Sequence, residues 1–200
     1  MQVQASDSNR QFDSGAVRGE DAGRGKPHLL PFAALACIIK DGFGNACDAP
    51  WGGIIELSKL YEAGSLKYPD RNWERGMPLS CFVDSALRHF RKFLRGDKDE
   101  PHLVQYCWNL CGLLQTHMWV ADATLPSSLS AGLPKVATQK ALGNRIMVHG
   151  TTFANALDSS FTHLSDYVVG RGLEHLVCAC GYSLAALEMK CDTRPIAGTR

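Results

Sequence analysis

Two stretches of the 200-residue chain hold side chains that do more than pack. The first is LKYPDRNWERG, residues 66–76, with Lys67, Tyr68, Arg71, Asn72 and Trp73 placed where a turn between helices needs only a glycine, a proline and a polar cap. The second is DSALRHFRKFLRGDKDEPH, residues 84–102, which carries Asp84, Arg88, His89, Lys92, Asp97, Asp99, Glu100 and His102. Carboxylate oxygens hold Mg²⁺ or Mn²⁺, and imidazole nitrogen tolerates Mn²⁺ or Co²⁺ better than Mg²⁺. Lysine and arginine beside them neutralise phosphate oxygens. The composition is that of a nucleoside-triphosphate site. Each residue also has an ordinary structural reading. Asp84 and Arg88 are spaced as a helix surface pair, worth only a few tenths of a kcal/mol (about 0.3). Asp97, Asp99 and Glu100 precede a helix N-terminus, where the dipole favours carboxylates in any case. A buried Trp73 can cap a hairpin, and Asn72 can close an Asx turn.

These residues need helices to hold them. The sequence predicts a helix over 53–68 and a second over 79–95, where Leu79, Phe82, Val83, Ala86, Leu87, Phe90 and Leu94 form an amphipathic stripe. Gly96 suits the position just past that helix and Pro101 the first turn of the next, a more apolar helix over 102–118. Residues 1–28 are rich in Gly, Ser, Asp and Arg and lack apolar periodicity, which predicts a mostly disordered leader. No strand pattern stands out, and the fold class is all-α.

The segment 84–115 aligns with 158–188 when one gap is placed opposite Pro101. Asp84, His89, Gly96 and His102 then fall on Asp158, His163, Gly170 and His175, and a His-Leu-Val run follows in both copies. Shared leucines alone would mark any two helical hairpins; this frame marks a duplicated hairpin, building a pseudo-symmetric four-helix core. The organisation expected is a leader (1–28), a catalytic helical repeat (29–120), a Ser/Pro/Gly-rich linker (121–135), a degenerate second repeat (136–189) and a tail (190–200). The second copy has Thr162, Ser165, Asp166 and Val169 where the first has basic side chains, so it is expected mainly to supply structure.

Composition narrows the function classes. A net charge of +1 and a pI near 7.6 argue against nucleic-acid and membrane-surface partners. The longest apolar run, Leu29 to Ile39, contains a proline and falls well short of the ~20 residues of a bilayer crossing. Its polar lead-in is unlike a secretory signal. The eight cysteines include no C-x-x-C pair, and Cys81, Cys107 and Cys111 fall within the predicted helices, as free thiols of a reduced, cytoplasmic protein do.

From Gly64 to Asn109 the sequence resembles the phage dATP/dGTP diphosphohydrolases, the MazZ proteins, relatives of the all-α MazG-type nucleotide pyrophosphohydrolases. The resemblance rests on Gly-x-x-Lys-Tyr, Arg-Asn-Trp, Asp-x-x-x-Arg-His, Gly-Asp-x-Asp and His-Leu, with DAGRGKPHLLP (21–31) similar to the family's leader. It implies a MazG-like helical bundle that converts dGTP or dATP to the monophosphate and pyrophosphate with Mg²⁺, Mn²⁺ or Co²⁺. It also implies a homo-oligomer, dimer or tetramer, in the host cytoplasm, its dGMP feeding 2-aminoadenine DNA synthesis. On that basis Lys67 and Arg71 grip the triphosphate with Arg88 and Lys92, Tyr68 or Trp73 stacks on the base or sugar, and Asn72 reads a base edge or orients a loop. Glu56, Glu62, Asp84, His89, Asp99 and His102 are the expected metal ligands, and Glu62 or Asp99 is the expected catalytic carboxylate. The chain departs from its relatives in three ways. It is longer between Pro31 and Gly64, and Gln105 stands where relatives often have a second histidine after His102. Glu56 and Glu62 project roughly 120° apart on a helix, unlike the stacked acidic pairs of MazG-type enzymes. The alternative function is a non-enzymatic helical scaffold for oligomerisation or partner binding, and a third is an enzyme acting on another phosphorylated small molecule.

Overall fold

Apolar side chains at helical spacing dictate most of the fold. The structure, a computed structural model, describes residues 9–133 and 151–192. A short antiparallel hairpin, β1 (Asn9–Gln11) and β2 (Val17–Gly19), is followed by α1 (Phe32–Cys37), α2 (Trp51–Ser65), α3 (Leu79–Arg95) and α4 (His102–Ala121), then α5 (Phe153–Val168) and α6 (Leu173–Asp192). The fold is an all-α bundle with that one small sheet. Among the described residues no helix is long and apolar enough to cross a membrane. The expected leader start (1–8), the opening of the second repeat (136–150) and most of the tail (193–200) lie outside the described residues.

The four helices α3 to α6 form two antiparallel hairpins, α3 on α4 and α5 on α6, with α4 and α6 also packed together. On α3 the buried side chains are Leu79, Phe82, Val83, Ala86 and Phe90. Leu87 and Leu94, expected in the same stripe, are exposed, because the buried face is narrower than the sequence pattern suggests. α4 is nearly all interior: residues 109–116 are buried without a break. Polar groups inside it find partners, as Gln115 does by accepting from the Ala34 N–H at 3.0 Å in the first turn of α1. Gly112 lets α3 approach, since a Cβ there would lie 2.7 Å from the Phe82 ring. α2 packs on α6 through Gly53, whose N–H donates to the Glu188 carboxylate. The stretch that made the chain look long, after α1, continues as a π-helical turn, Ile38–Phe43, that buries Ile38 and Phe43 and packs on α6.

The two hairpins share internal geometry. Gly96 and Gly170 both adopt φ of 84°, a left-handed conformation that glycine takes without a Cβ penalty. Each closes its helix with the same pair of bonds, Gly96 N–H to Phe93 O with Asp97 N–H to Lys92 O, and Gly170 N–H to Tyr167 O with Arg171 N–H to Asp166 O. The imidazoles of His89 and His102 have ring centres 5.3 Å apart at 37°, and those of His163 and His175 lie 5.3 Å apart at 39°.

The leader differs from expectation. Low apolar content predicts disorder to residue 28, yet from Asn9 the chain pairs as Asn9↔Gly19, Arg10↔Arg18 and Gln11↔Val17. It is then tied to α2 by backbone amides, a kind of order that hydrophobic periodicity does not reveal.

Candidate functional site

The glycine turn after α3 and Pro101 before α4 reverse the chain so tightly that the last turns of α3 face the first turn of α4. His89 and His102 meet there with their Nδ1 atoms 3.0 Å apart. His102, 2% exposed, directs Nε2 to Asp99 Oδ1 at 2.8 Å. Lys92 Nζ donates to the other Asp99 oxygen, also at 2.8 Å. Glu100 Oε2 stands 3.9 Å from His89 Nδ1 and 4.0 Å from His102 Nδ1. The Lys92 ammonium, and then the bond from His102, hold the Asp99 carboxyl well below the usual carboxylate range. Burial pushes the His89 imidazole below its ordinary value, with His102 adding to the shift and Glu100 opposing it.

These contacts fix a tautomer. An ionised Asp99 only accepts, so His102 carries its hydrogen on Nε2. With that hydrogen on Nε2, the Nδ1 atom of His102 faces His89 and Glu100. A carboxylate holding the far nitrogen of an imidazole is the arrangement that orients metal-binding histidines. The ligand atoms of His89, Glu100 and His102 lie within 4.8 Å of one another, as do those of Asp97, Asp99 and His102. Two nitrogens and an oxygen suit Mn²⁺ or Co²⁺ better than Mg²⁺. The residues present therefore fit a divalent ion, with Asp99 orienting His102 and Lys92 holding Asp99.

A second charged region lies at the other end of the molecule's first half. Both oxygens of Glu62, on α2, accept backbone N–H groups of the leader, from Gly23 at 2.8 Å and Gly25 at 2.7 Å. Around them is a cavity of about 810 Å³ whose lining includes Arg10, Arg18, Arg24 and Lys26 and also the acids Glu20 and Asp21, Asp21 pairing with Arg10 at 2.7 Å. Arg71 reaches this region, donating to the His28 carbonyl at 3.0 Å and pairing with Glu74. Lys26 pairs with Asp70 at 3.3 Å. The leader is thus clamped between α2 and the 66–76 turn.

The expected site residues divide between these regions. α3 has 17 residues and is about 25 Å long at ~1.5 Å per residue. The 66–76 turn stands before its N-terminus and the His89–His102 elbow at its C-terminus. Lys67, Tyr68, Arg71, Asn72 and Glu62 are therefore not brought together with Lys92, His89, Asp99 and His102. Lys67, Tyr68 and Asn72 are exposed. Trp73 is not open to a base: it is 8% exposed and stacked on Trp119 with ring centres 5.5 Å apart, edge-on to Tyr61. A ring this buried, with one face against Trp119, is committed to packing. Arg88 bonds to Ser85 at 2.8 Å instead of Asp84. Asp84 is exposed and, with Glu56 and Glu62, belongs to none of the metal-competent groups among the described residues. Glu56 pairs with Lys59 at 2.7 Å.

Sequence reasoning overlooked three participants. Glu100, named with the chemistry-bearing stretch but left out of the expected ligand set, faces the imidazole pair. The leader cations surround Glu62, and the only signal for them was the Gly-x-Gly-Lys run among basic residues. The second hairpin keeps an imidazole pair at 3.0 Å, with an acid, Asp166, where the first hairpin has Lys92. Reading Asp166 as a lost basic residue concealed its role as a gained carboxylate.

A family model described as dATP/dGTP diphosphohydrolase, N-terminal, matches residues 14–122, more than half of the chain. The match takes in the leader cavity except for Asn9 and Arg10, the 66–76 turn and the α3–α4 elbow, and ends before the second hairpin. No curated protein and no solved structure matches the chain.

Proposed function

The chain belongs to the dATP/dGTP diphosphohydrolase family, and on that premise we propose that it hydrolyses dGTP or dATP to the monophosphate and pyrophosphate at the α3–α4 elbow with a bound divalent metal. The observation that carries this reading is the chain of contacts Lys92–Asp99–His102–His89, with Glu100 beside it, inside the family-matched residues. His89, His102 and Glu100 hold the ion, Mn²⁺ or Co²⁺ by donor type and Mg²⁺ with more of its water retained. When bound, the metal polarises a phosphate oxygen and makes a coordinated water more acidic. Asp99 keeps the His102 lone pair on the metal side, and Lys92 holds Asp99 ionised. Arg88 and Lys92, on the neighbouring turn, face the negative charge of the phosphates. Water adds to the α-phosphorus and pyrophosphate leaves, so atoms balance without a further reactant. Exposed Leu87 and Leu94 on α3 and Phe161 on α5 supply apolar faces for a homo-oligomer, dimer or tetramer. In a phage that replaces adenine, the dGMP formed enters 2-aminoadenine synthesis.

A second placement of the substrate is favoured by the leader cavity, where Arg18 and Arg24 join Arg10 and Lys26, the last two paired with Asp21 and Asp70, and where Glu62 is the α2 carboxylate. Incubating the protein with each dNTP and Mg²⁺, Mn²⁺ or Co²⁺, and resolving the products, tests the reaction. Monophosphate and pyrophosphate without orthophosphate are expected; stepwise orthophosphate release through the diphosphate overturns the reading, and no turnover with any metal favours the scaffold. Arg88→Ala and Arg24→Ala distinguish the two placements: the variant with the larger rise in KM marks the phosphate-binding end.

A further inference from the structure

We propose that the second hairpin holds a divalent transition-metal ion of its own, on His163 Nδ1, His175 Nδ1 and an oxygen of Asp166. This site lies outside the family-matched segment and does not depend on the nucleotide reading. The two Nδ1 atoms are 3.0 Å apart, and Asp166 Oδ2 lies 3.4 Å from His175 Nδ1. All three ligand atoms fall within 4.8 Å of one another.

Proton bookkeeping makes the arrangement demanding. A carboxylate only accepts, and each neutral imidazole has one N–H. If His163 donates from Nδ1 to His175, the Asp166 oxygen faces a lone pair. If His175 donates from Nδ1 to His163, the Asp166 oxygen stands 3.4 Å from that nitrogen with no hydrogen between them. A cation at the centre satisfies all three at once. Spacing agrees: donors about 2.1 Å from an ion and 90° apart stand about 3.0 Å from each other, against about 3.4 Å for a tetrahedral angle. The nitrogen pair thus matches adjacent positions on an octahedral ion such as Mn²⁺, Co²⁺ or Ni²⁺.

The surroundings hold the donors in place. Arg171 takes the other Asp166 oxygen at 2.8 Å, which orients the carboxylate. The His163 ring stacks on Tyr182 with centres 5.8 Å apart at 9°. His175 and Asp166 are 24% and 19% exposed, so an ion and its remaining waters reach them from solvent. The carboxylate comes from α5, at the position of Lys92, whereas in the first hairpin Glu100 precedes α4. The two hairpins therefore arrive at the same donor set from different sides.

The test is metal stoichiometry on chelator-stripped full-length protein, measured with Mn²⁺, Co²⁺ or Zn²⁺ alone by native mass spectrometry and calorimetry, without nucleotide. His163→Gln/His175→Gln is expected to bind one ion fewer than the unaltered chain and to show a smaller metal-induced rise in Tm. Asp166→Asn, which preserves shape, is expected to weaken the same ion at least tenfold and serves where the histidine variant fails to fold. An unchanged stoichiometry in a folded histidine variant, or unchanged affinity in Asp166→Asn, overturns the proposal. Because each readout is a difference between variants, it stands whether or not dGTP is turned over and whether or not the first hairpin binds metal.

Discussion

On the proposed reading, Asp99 acts without touching substrate. Its two oxygens are committed to Lys92 and His102, so its contribution is to fix which His102 nitrogen carries the proton. Asp99→Asn keeps the shape but offers an amide that can accept on one side only. Loss of such an orienting carboxylate costs about 10–100-fold in metal affinity. Metal titration followed by kcat at saturating metal should therefore show a large shift in metal requirement with a smaller loss of maximal rate. A loss of rate with unchanged metal affinity would put Asp99 on the substrate instead.

At the scale of elements, Gly53 is where α2 meets α6 most closely. A Cβ there would stand 2.7 Å from the Leu184 carbonyl oxygen, backbone that cannot swing aside as a side chain would. Gly53→Ala should destabilise the fold by about 1–3 kcal/mol, as overpacking does, despite alanine's better helix propensity, and denaturant midpoints would measure it. A neutral or stabilising result would mean the helices separate easily. Helix content was legible because apolar spacing reports burial directly: the predicted 79–95 matches Leu79–Arg95 to the residue. The imidazole pairs were legible through the repeat. The β1–β2 hairpin and the amide grip on Glu62 were not, since backbone donors carry no residue-type signal. The 66–76 turn and the elbow, joined in one site by the resemblance, stand at opposite ends of α3, a separation that residue types alone do not reveal.

For the molecule as a whole, histidine protonation links stability to pH. Burial lowers the pKa of His117, which contacts the Tyr167 hydroxyl at 2.9 Å and belongs to neither imidazole pair. Its folded value lies below the unfolded value of about 6.5, so below that pH the unfolded chain binds more protons than the folded one. The associated stability is present above about pH 6.5 and is lost as pH falls towards the lowered folded value. Tm should decline over that window, and His117→Gln should flatten the decline; an identical profile would assign the pH dependence elsewhere. The separation of the leader cavity from the elbow by the length of α3 has an energetic counterpart. Groups that share no partner and stand well beyond about 10 Å apart contribute independently, to within about 0.5 kcal/mol. A chain carrying both Arg24→Ala and Asp99→Asn should then show the product of the two single-variant factors in kcat/KM. The coupling energy of that double-mutant cycle should be close to zero, so α3 acts as a spacer between two sets of charges and does not relay changes between them.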